Sequence, residues 1–323
     1  MISPQLLDDI VHHLKNSSGV VVLTHQDPDF DAIGSSLAWC LQLQKFNVPF
    51  HFFVADKTYS QFQFLPGSEF IRPDFPRSDN FDTVLILDSS NLDRIRKWDE
   101  LGITDDGTVT IINIDHHQDN RKFGNFNIVE NISSVGELTC LLFSMAGWEM
   151  TSDQATCLYS AILYDTGSFL NSNVTPSTYR ASATLLENGA NTALVTQNMY
   201  ENITETDYQA LKLMLDELVV EHRIAYSLLP AEFPTTSLKL IQYIRQLSGI
   251  DVALLFRAQD NGLVRISLRS KTQFSVSKFS ALFNGGGHHR ASGIVLPGTL
   301  ETVSQQVLER LRKVMSDPQF YVS

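Results

Sequence analysis

Short apolar runs at 19–23, 50–54, 83–87 and 109–114 place branched and aromatic residues at successive positions. A strand buried on both faces has that pattern, whereas a half-exposed strand would alternate with polar residues. The stretches at 33–46, 135–146, 152–163 and 176–187 read as helices, and the last three open on Ser, Thr or Pro. Strands of this kind alternating with helices predict a parallel α/β sheet with helices on both faces. A further helix is expected over 204–220, with Thr204 as its cap and Asp207 at the third helical position. Beyond it, 224–229, 252–256, 263–268 and 293–296 read as strands, Asn261-Gly262 as a hairpin turn, and 300–315 as a closing helix. The expected organisation is an N-terminal α/β domain over 1–195, a helical connector over 196–228 and a smaller α/β domain over 229–323.

Composition narrows the class. The 323 residues suit two domains, and 43% apolar with 19% charged residues excludes collagen, coiled coil and wholesale disorder. No apolar run approaches the ~20 residues that span a bilayer, and the first fifteen residues read as a surface helix rather than a secretory signal. Cys40, Cys140 and Cys157 are too few and too scattered for a disulfide framework or a thiolate metal site, so a cytoplasmic protein is expected. A net charge of −12 disfavours a nonspecific duplex DNA coat or a membrane-surface binder. That charge is unevenly spread. Up to Glu221 there are 12 basic and 30 acidic residues, and after it 12 basic and 6 acidic. An acidic part could hold cations and a basic part an anionic substrate.

The candidate chemistry lies where apolar runs end. After 19–23 the chain reads Thr24-His25-Gln26-Asp27-Pro28-Asp29-Phe30-Asp31, then Gly34-Ser35. So many carboxylates beside an imidazole repel one another unless a cation neutralises them. His25, Asp29 and Asp31 can point to a common centre, and Gly34-Ser35 is expected to begin a helix whose free amides could face an anion. The run 83–87 ends in Asp88-Ser89-Ser90, the run 109–114 in Asp115-His116-His117, and the apolar 158–164 in Asp165-Thr166-Gly167. Each Asp alone reads as a turn or a cap. Together, beyond the carboxyl ends of strands in an open α/β fold, they gather oxygen and imidazole ligands in one crevice. His12, His13, His51 and His222 read as structural or solvated.

These motifs resemble the DHH phosphoesterase family, named for the Asp-His-His element found here as Asp115-His116-His117. The resemblance extends in order through His25, Asp29, Asp31, Asp88 and Asp165-Thr166-Gly167. It continues to Ser267-Leu268-Arg269-Ser270 and Gly285-Gly286-Gly287-His288-His289-Arg290, signatures of the family's C-terminal substrate-binding domain. Within the family the chain looks like the two-domain oligoribonucleases that also act on 3′-phosphoadenosine 5′-phosphate. The implied activity is metal-dependent hydrolysis of short oligoribonucleotides or small phosphorylated nucleotides. Linear or cyclic dinucleotides, pyrophosphate and polyphosphate stand as alternative substrates, and a nucleotide-binding module without activity as a distant one.

The resemblance also implies a pair of manganese ions, with magnesium or cobalt as substitutes. His25, Asp29 and Asp88 would hold one, and Asp31, Asp88, His116 and Asp165 the other. Asp115 would orient the imidazoles and His117 would meet the scissile phosphate. Arg269, Ser270, Gly286, Gly287, His288 and Arg290 would bind substrate. A homodimer through the large domain is the expected assembly. Two positions depart from the pattern: Leu170 stands where a basic residue is expected, and His289 where a proline is frequent.

Overall fold

Val20–Thr24 is buried at all five positions and forms β1, a central strand of the first sheet. The computed structural model describes residues 2–55, 57–74, 81–101, 109–233 and 240–322. Contacts divide the chain into two units, Met1–Asn198 and Met199–Ser323. Among the described residues no helix is long and apolar enough to cross a membrane.

In the first unit β1 is joined by β2 (Phe50–Phe53), β3 (Ile71–Arg72), β4 (Thr83–Leu87), β5 (Thr110–Asp115) and β6 (Phe126–Val129). Their order is β3-β2-β1-β4-β5-β6 and every pairing is parallel. The chain therefore starts in the middle, builds outward one way, then returns to build the other way. Such a sheet opens a crevice at the point of reversal, here between β1 and β4, beyond their carboxyl ends.

The helices of this unit are α1 (Pro4–Asn16), α2 (Phe30–Lys45), α3 (Val135–Met145), α4 (Ser152–Asp165), α5 (Pro176–Glu187) and α6 (Thr192–Tyr200), the last crossing into the second unit. In α1, Ser3 caps the first turn, Pro4 occupies a position whose missing N–H costs nothing, and Leu7, Ile10 and Leu14 form the buried stripe. α2 starts at Phe30 with Asp29 as its cap, so Gly34-Ser35 lies inside the helix and offers no free amides, contrary to the sequence expectation. Gly34 has another reason to be there. A Cβ on it would lie 2.5 Å from the Cys157 carbonyl oxygen of α4, so its absence lets the two helices pack closely. Behind them Trp39 is fully buried, edge-on to Phe143 at 5.1 Å and Trp148 at 6.0 Å, with its Nε1–H donated to Thr139. Burying a ring of that size stabilises by roughly 3 kcal/mol or more.

The second unit holds α7 (Glu205–Asp216), β7 (Val219–Glu221), β8 (Ile224–Leu229), α8 (Leu240–Arg245), β9 (Val252–Ala258), β10 (Leu263–Ser270), α9 (Val276–Ala281), β11 (Gly286–His288), β12 (Ala291–Pro297) and α10 (Leu300–Val314). The Thr204–Asp207 capping box opens α7 as expected. The helix stops at Asp216, however, and Val219–Glu221 pairs antiparallel with β8. Adjacent β-branched valines favour the strand, and His222 at φ 50° makes the turn. The sheet order is β11-β12-β10-β9-β8-β7, with β8 and β9 parallel and the other neighbours antiparallel. Alternation along β10 buries Val264, Ile266 and Leu268 in the core that includes α10, and turns Arg265, Ser267 and Arg269 to the opposite face.

Candidate metal centre

Strand register builds the site. Thr24 pairs with Leu87, and Leu87 with Ile114, so the next residues of each strand, His25, Asp88 and Asp115, emerge side by side. Asp88 has φ 58°, a left-handed conformation that costs a residue with a Cβ roughly 1–2 kcal/mol. Its N–H, donated to the Ile114 carbonyl at 3.1 Å, holds it there. The turn aims one carboxylate oxygen at each of two histidines. Asp88 Oδ2 is 3.4 Å from His25 Nε2, and Asp88 Oδ1 is 3.5 Å from His116 Nε2.

Asp29 and Asp31 enter from the start of α2. Asp29 Oδ1 accepts from the Asp31 and Ala32 amides at 2.9 and 3.2 Å. Asp31 is buried, and its oxygens accept from the Val135 and Gly136 amides at 2.8 and 2.9 Å. The positive end of α3 thus holds that carboxylate in place. Asp165 is the last residue of α4, the helix that the sequence predicts over 152–163. Its Oδ2 lies 3.7 Å from His116 Nε2, and Asp31 Oδ2 lies 3.8 Å from the same nitrogen. Donor atoms of His25, Asp29 and Asp88 fall within 4.8 Å of one another, as do those of Asp31, His116 and Asp165.

Hydrogen bonds on the far side of each ring fix what its near side offers. His25 Nδ1 meets the Gln26 carbonyl at 2.7 Å and His116 Nδ1 the Ile132 carbonyl at 3.2 Å. A carbonyl only accepts, so both rings keep a hydrogen on Nδ1, and Nε2 is the atom that faces the carboxylates. Asp115 is spent otherwise. Its Oδ1 accepts from His117 Nδ1 at 2.7 Å and from the His116 amide at 2.8 Å, and its Oδ2 accepts from Asn120 at 2.6 Å. Asp115 therefore holds its neighbours in place, and His117 turns Nε2 toward Arg94.

Electrostatics show what the cluster lacks. Burial, with Asp88 and Asp165 nearby, pushes the Asp31 carboxyl well above its usual range. Burial likewise lifts Asp165 to about 7, with Asp29 and Asp88 adding to it against His116. Burial would raise Asp88 too, but the flanking His116 and His25 imidazoles carry it well below. Burial would lower His25, yet Asp88 brings it up to about 9. His116 is raised as well, Asp88 and Asp165 outweighing its burial. Protons on the imidazoles thus compensate the carboxylates, a balance that a cation would replace. Asp88 Oδ1 is also buried and, among the described residues, has no hydrogen-bond partner. Two imidazole nitrogens, several carboxylates and an orphaned carboxylate oxygen form a donor set that fits divalent first-row cations.

Sequence reasoning missed Arg94 and Asn120. Arg94 follows Asp88 on the same loop, accepts from the Gln26 amide through its carbonyl at 2.7 Å, and places Nη1 3.4 Å from His117 Nε2. The basic run Arg94, Arg96 and Lys97 after the strand that ends in Asp88 was the available signal; which of them meets His117 was not readable.

In the second unit Arg269 is half-buried on β10, while Gly286, Gly287 and His288 form the exposed edge strand β11. Gly287 has φ 132°, and a Cβ on it would meet the Ala291 carbonyl oxygen at 2.5 Å. Arg290 is half-buried and donates Nε–H to His289 at 3.2 Å. The Ser270 hydroxyl faces inward. It is buried and donates to the Thr272 carbonyl at 3.2 Å, because strand alternation turns it away from the face carrying Arg269.

Comparison with known proteins matches the DHH family, N-terminal domain, over residues 19–162 and the DHHA1 domain over residues 223–317. The bifunctional oligoribonuclease and PAP phosphatase NrnA of Thermus thermophilus is 30% identical over 305 residues, covering 92% of this chain and 90% of that protein. The cyclic-di-AMP phosphodiesterase GdpP of Bacillus subtilis is 26% identical across 95% of this chain and 50% of its own length. An exopolyphosphatase-related protein from Bacteroides fragilis has a similar structure, with TM-score 0.88 at 25% identity over 98% of this chain and 99% of its own.

Proposed function

We propose, from the premise that this chain belongs to the DHH family and carries a DHHA1 domain, that it hydrolyses short oligoribonucleotides to nucleoside monophosphates and 3′-phosphoadenosine 5′-phosphate to AMP. It is a phosphoesterase dependent on two divalent metal ions. The observation that carries the reading is Asp88, which points one oxygen toward His25 and the other, buried and unpartnered, toward His116. A carboxylate so placed suits a bridge. In this reading His25, Asp29 and Asp88 hold one manganese ion, and Asp31, Asp88, His116 and Asp165 the other. Magnesium or cobalt serves as a substitute. Bound there, such a pair supplies a water of lowered pKa and offsets negative charge on the phosphate.

The chain's own groups do the rest. Asp115 fixes the His117 ring so that Nε2, beside Arg94, faces the scissile phosphate. Arg94 adds positive charge where a phosphate oxygen gains negative charge. In the second unit Arg269 offers a planar fork to a substrate phosphate, and His288, Arg290 and the Gly286-Gly287 backbone add donors. Ser270 supports the turn behind Arg269. Short single-stranded RNA fits a protein whose cationic groups are few. The cytoplasm is the compartment of this reading, since Cys40, Cys140 and Cys157 are free thiols. A homodimer through the first unit completes it, supported by Leu141 and Met145, exposed one turn apart on α3.

One parallel assay with manganese tests the reading, using a 5′-phosphorylated RNA dinucleotide, 3′-phosphoadenosine 5′-phosphate, cyclic-di-AMP, pyrophosphate and polyphosphate. The expected products are nucleoside monophosphates from the first and AMP from the second. Orthophosphate from pyrophosphate or polyphosphate, with the dinucleotide intact, would overturn it.

A further inference from the structure

The turn after Asp165 is strained at two positions. Gly167, Ser168 and Phe169 have φ of 56°, 59° and 63°. Glycine adopts this left-handed region freely; a serine and a bulky aromatic residue do not. The conformation persists because the surrounding backbone over-determines it. Ser168 N–H reaches the Leu163 carbonyl at 2.8 Å, and Phe169 N–H the Thr166 hydroxyl at 3.1 Å. The Leu170 and Asn171 amides both donate to the Thr166 carbonyl, at 3.1 and 2.9 Å, and the Asn171 side chain donates to the Asp165 carbonyl at 3.2 Å.

This turn sets the Phe169 ring nearly parallel to Tyr179 of α5, 15° from coplanar with centroids 5.3 Å apart. Tyr179 is 57% exposed and Leu170, between the two in sequence, 79% exposed. A single exposed leucine is ordinary on a protein surface. Strain spent on holding a half-buried phenylalanine ring against an exposed tyrosine is not, and strain of this kind gathers at ligand clamps. The pair stands close to the metal centre. Phe169 lies four positions after Asp165, a stretch that fully extended would span ~14 Å, and the bend makes the distance shorter.

We propose that Phe169 and Tyr179, edged by Leu170, form a stacking platform for a nucleobase of the substrate whose phosphate reacts at the metal centre. The platform rests on the reading of the site as one that cleaves nucleotides, and it adds the part of the substrate that pyrophosphate and polyphosphate lack. A flat apolar ring binds any base through its π face, so the platform selects nucleotides without selecting sequence.

The test uses the full chain with manganese and three probes: a 5′-phosphorylated RNA dinucleotide, its abasic analogue with the same backbone, and a dinucleotide carrying 2-aminopurine, whose fluorescence falls on stacking. The informative variant is Phe169→Gly, because glycine suits the left-handed turn while removing the ring. Its Tm should equal or exceed that of the wild type. Its KM for the dinucleotide should rise about 5- to 100-fold, as expected for one lost base–aromatic stack. Its KM for the abasic analogue should not change, Phe169→Trp should restore dinucleotide binding, and 2-aminopurine quenching should appear with wild type and vanish with Phe169→Gly. An unchanged dinucleotide KM, or equal losses with both backbones, would overturn the platform. Should the wild type cleave no dinucleotide, the proposed function fails, and quenching alone decides the platform: lost in Phe169→Gly it stands, absent from wild type or unchanged in the variant it falls.

Discussion

The Asp115 carboxylate accepts the Nδ1–H of His117 at 2.7 Å, and the same oxygen accepts the His116 backbone amide. One carboxylate thus fixes the tautomer of one ring and the backbone that carries another. Replacing Asp115 by Asn gives His117 a different partner at that atom. Metal content should remain near that of the wild type while kcat falls about 10- to 100-fold, the usual cost of losing such an orienting group. Elemental analysis beside turnover measurements checks both halves.

Arg94 should matter through its charge. Arg94→Ala is expected to lower kcat about 100- to 1000-fold, as removal of one transition-state donor does elsewhere. Because the residue offers no ligand atom, bound metal should not change. Arg94→Lys keeps the charge and loses the fork, so its activity should fall between the two. Parallel loss of metal in Arg94→Ala would show that the residue supports the fold of the centre instead.

Asp82 joins the end of α1 to the start of β4. Its carboxylate accepts from the Ser17 hydroxyl, from the Ser18 amide at 2.8 Å and hydroxyl at 2.7 Å, and from the Thr83 hydroxyl at 2.7 Å. Partial burial would raise its pKa, but these bonds outweigh it and bring it to about 2 from 3.8. A folded-state pKa below the unfolded one gives stability that is complete above the unfolded value and lost as pH falls through the folded one. Asp82→Asn should therefore cost about 1 kcal/mol at pH 7, the figure kept small because the group is largely solvated. The difference should shrink below pH 4 and close near pH 2. Urea unfolding of both proteins across that range measures it.

Gly34→Ala tests the packing behind the site. The added methyl carbon would lie 2.5 Å from the Cys157 carbonyl oxygen and 2.9 Å from the Ser160 hydroxyl oxygen, so α2 and α4 must part. Overpacking of this kind costs about 1–3 kcal/mol. A lowered Tm of the first unit is expected in thermal unfolding, and an unchanged Tm would mean the helices separate without cost.

Much of the first unit was legible because its central strands are buried on both faces, which leaves unbroken apolar runs such as Val20–Thr24 and Thr83–Leu87. The short strand Ile71–Arg72 left no such mark. The helix that carries Asp165 was legible over 152–163, because it opens on Ser152 and runs longer than a strand, although Ala155, Cys157, Leu158, Ala161 and Ile162 are all buried in it. Val219-Val220 was drawn into the preceding helix because pairing with β8 is a tertiary fact. Arg94 was out of reach because its partner His117 lies 23 residues along the chain, and Asn120 because an asparagine five residues after Asp115 reads as an ordinary turn residue. The positive φ of Ser168 and Phe169 has no sequence signature at all, since neither residue favours it.

The central claim is that Asp88 bridges two cations, and diffraction from crystals soaked in manganese, recorded at a wavelength where manganese scatters anomalously, tests it directly. Two anomalous peaks are expected, each at a bonding distance of ~2 Å from a different oxygen of Asp88. One should lie with His25 and Asp29, the other with Asp31, His116 and Asp165. A single peak, or peaks that leave Asp88 Oδ1 without a metal neighbour, would contradict it.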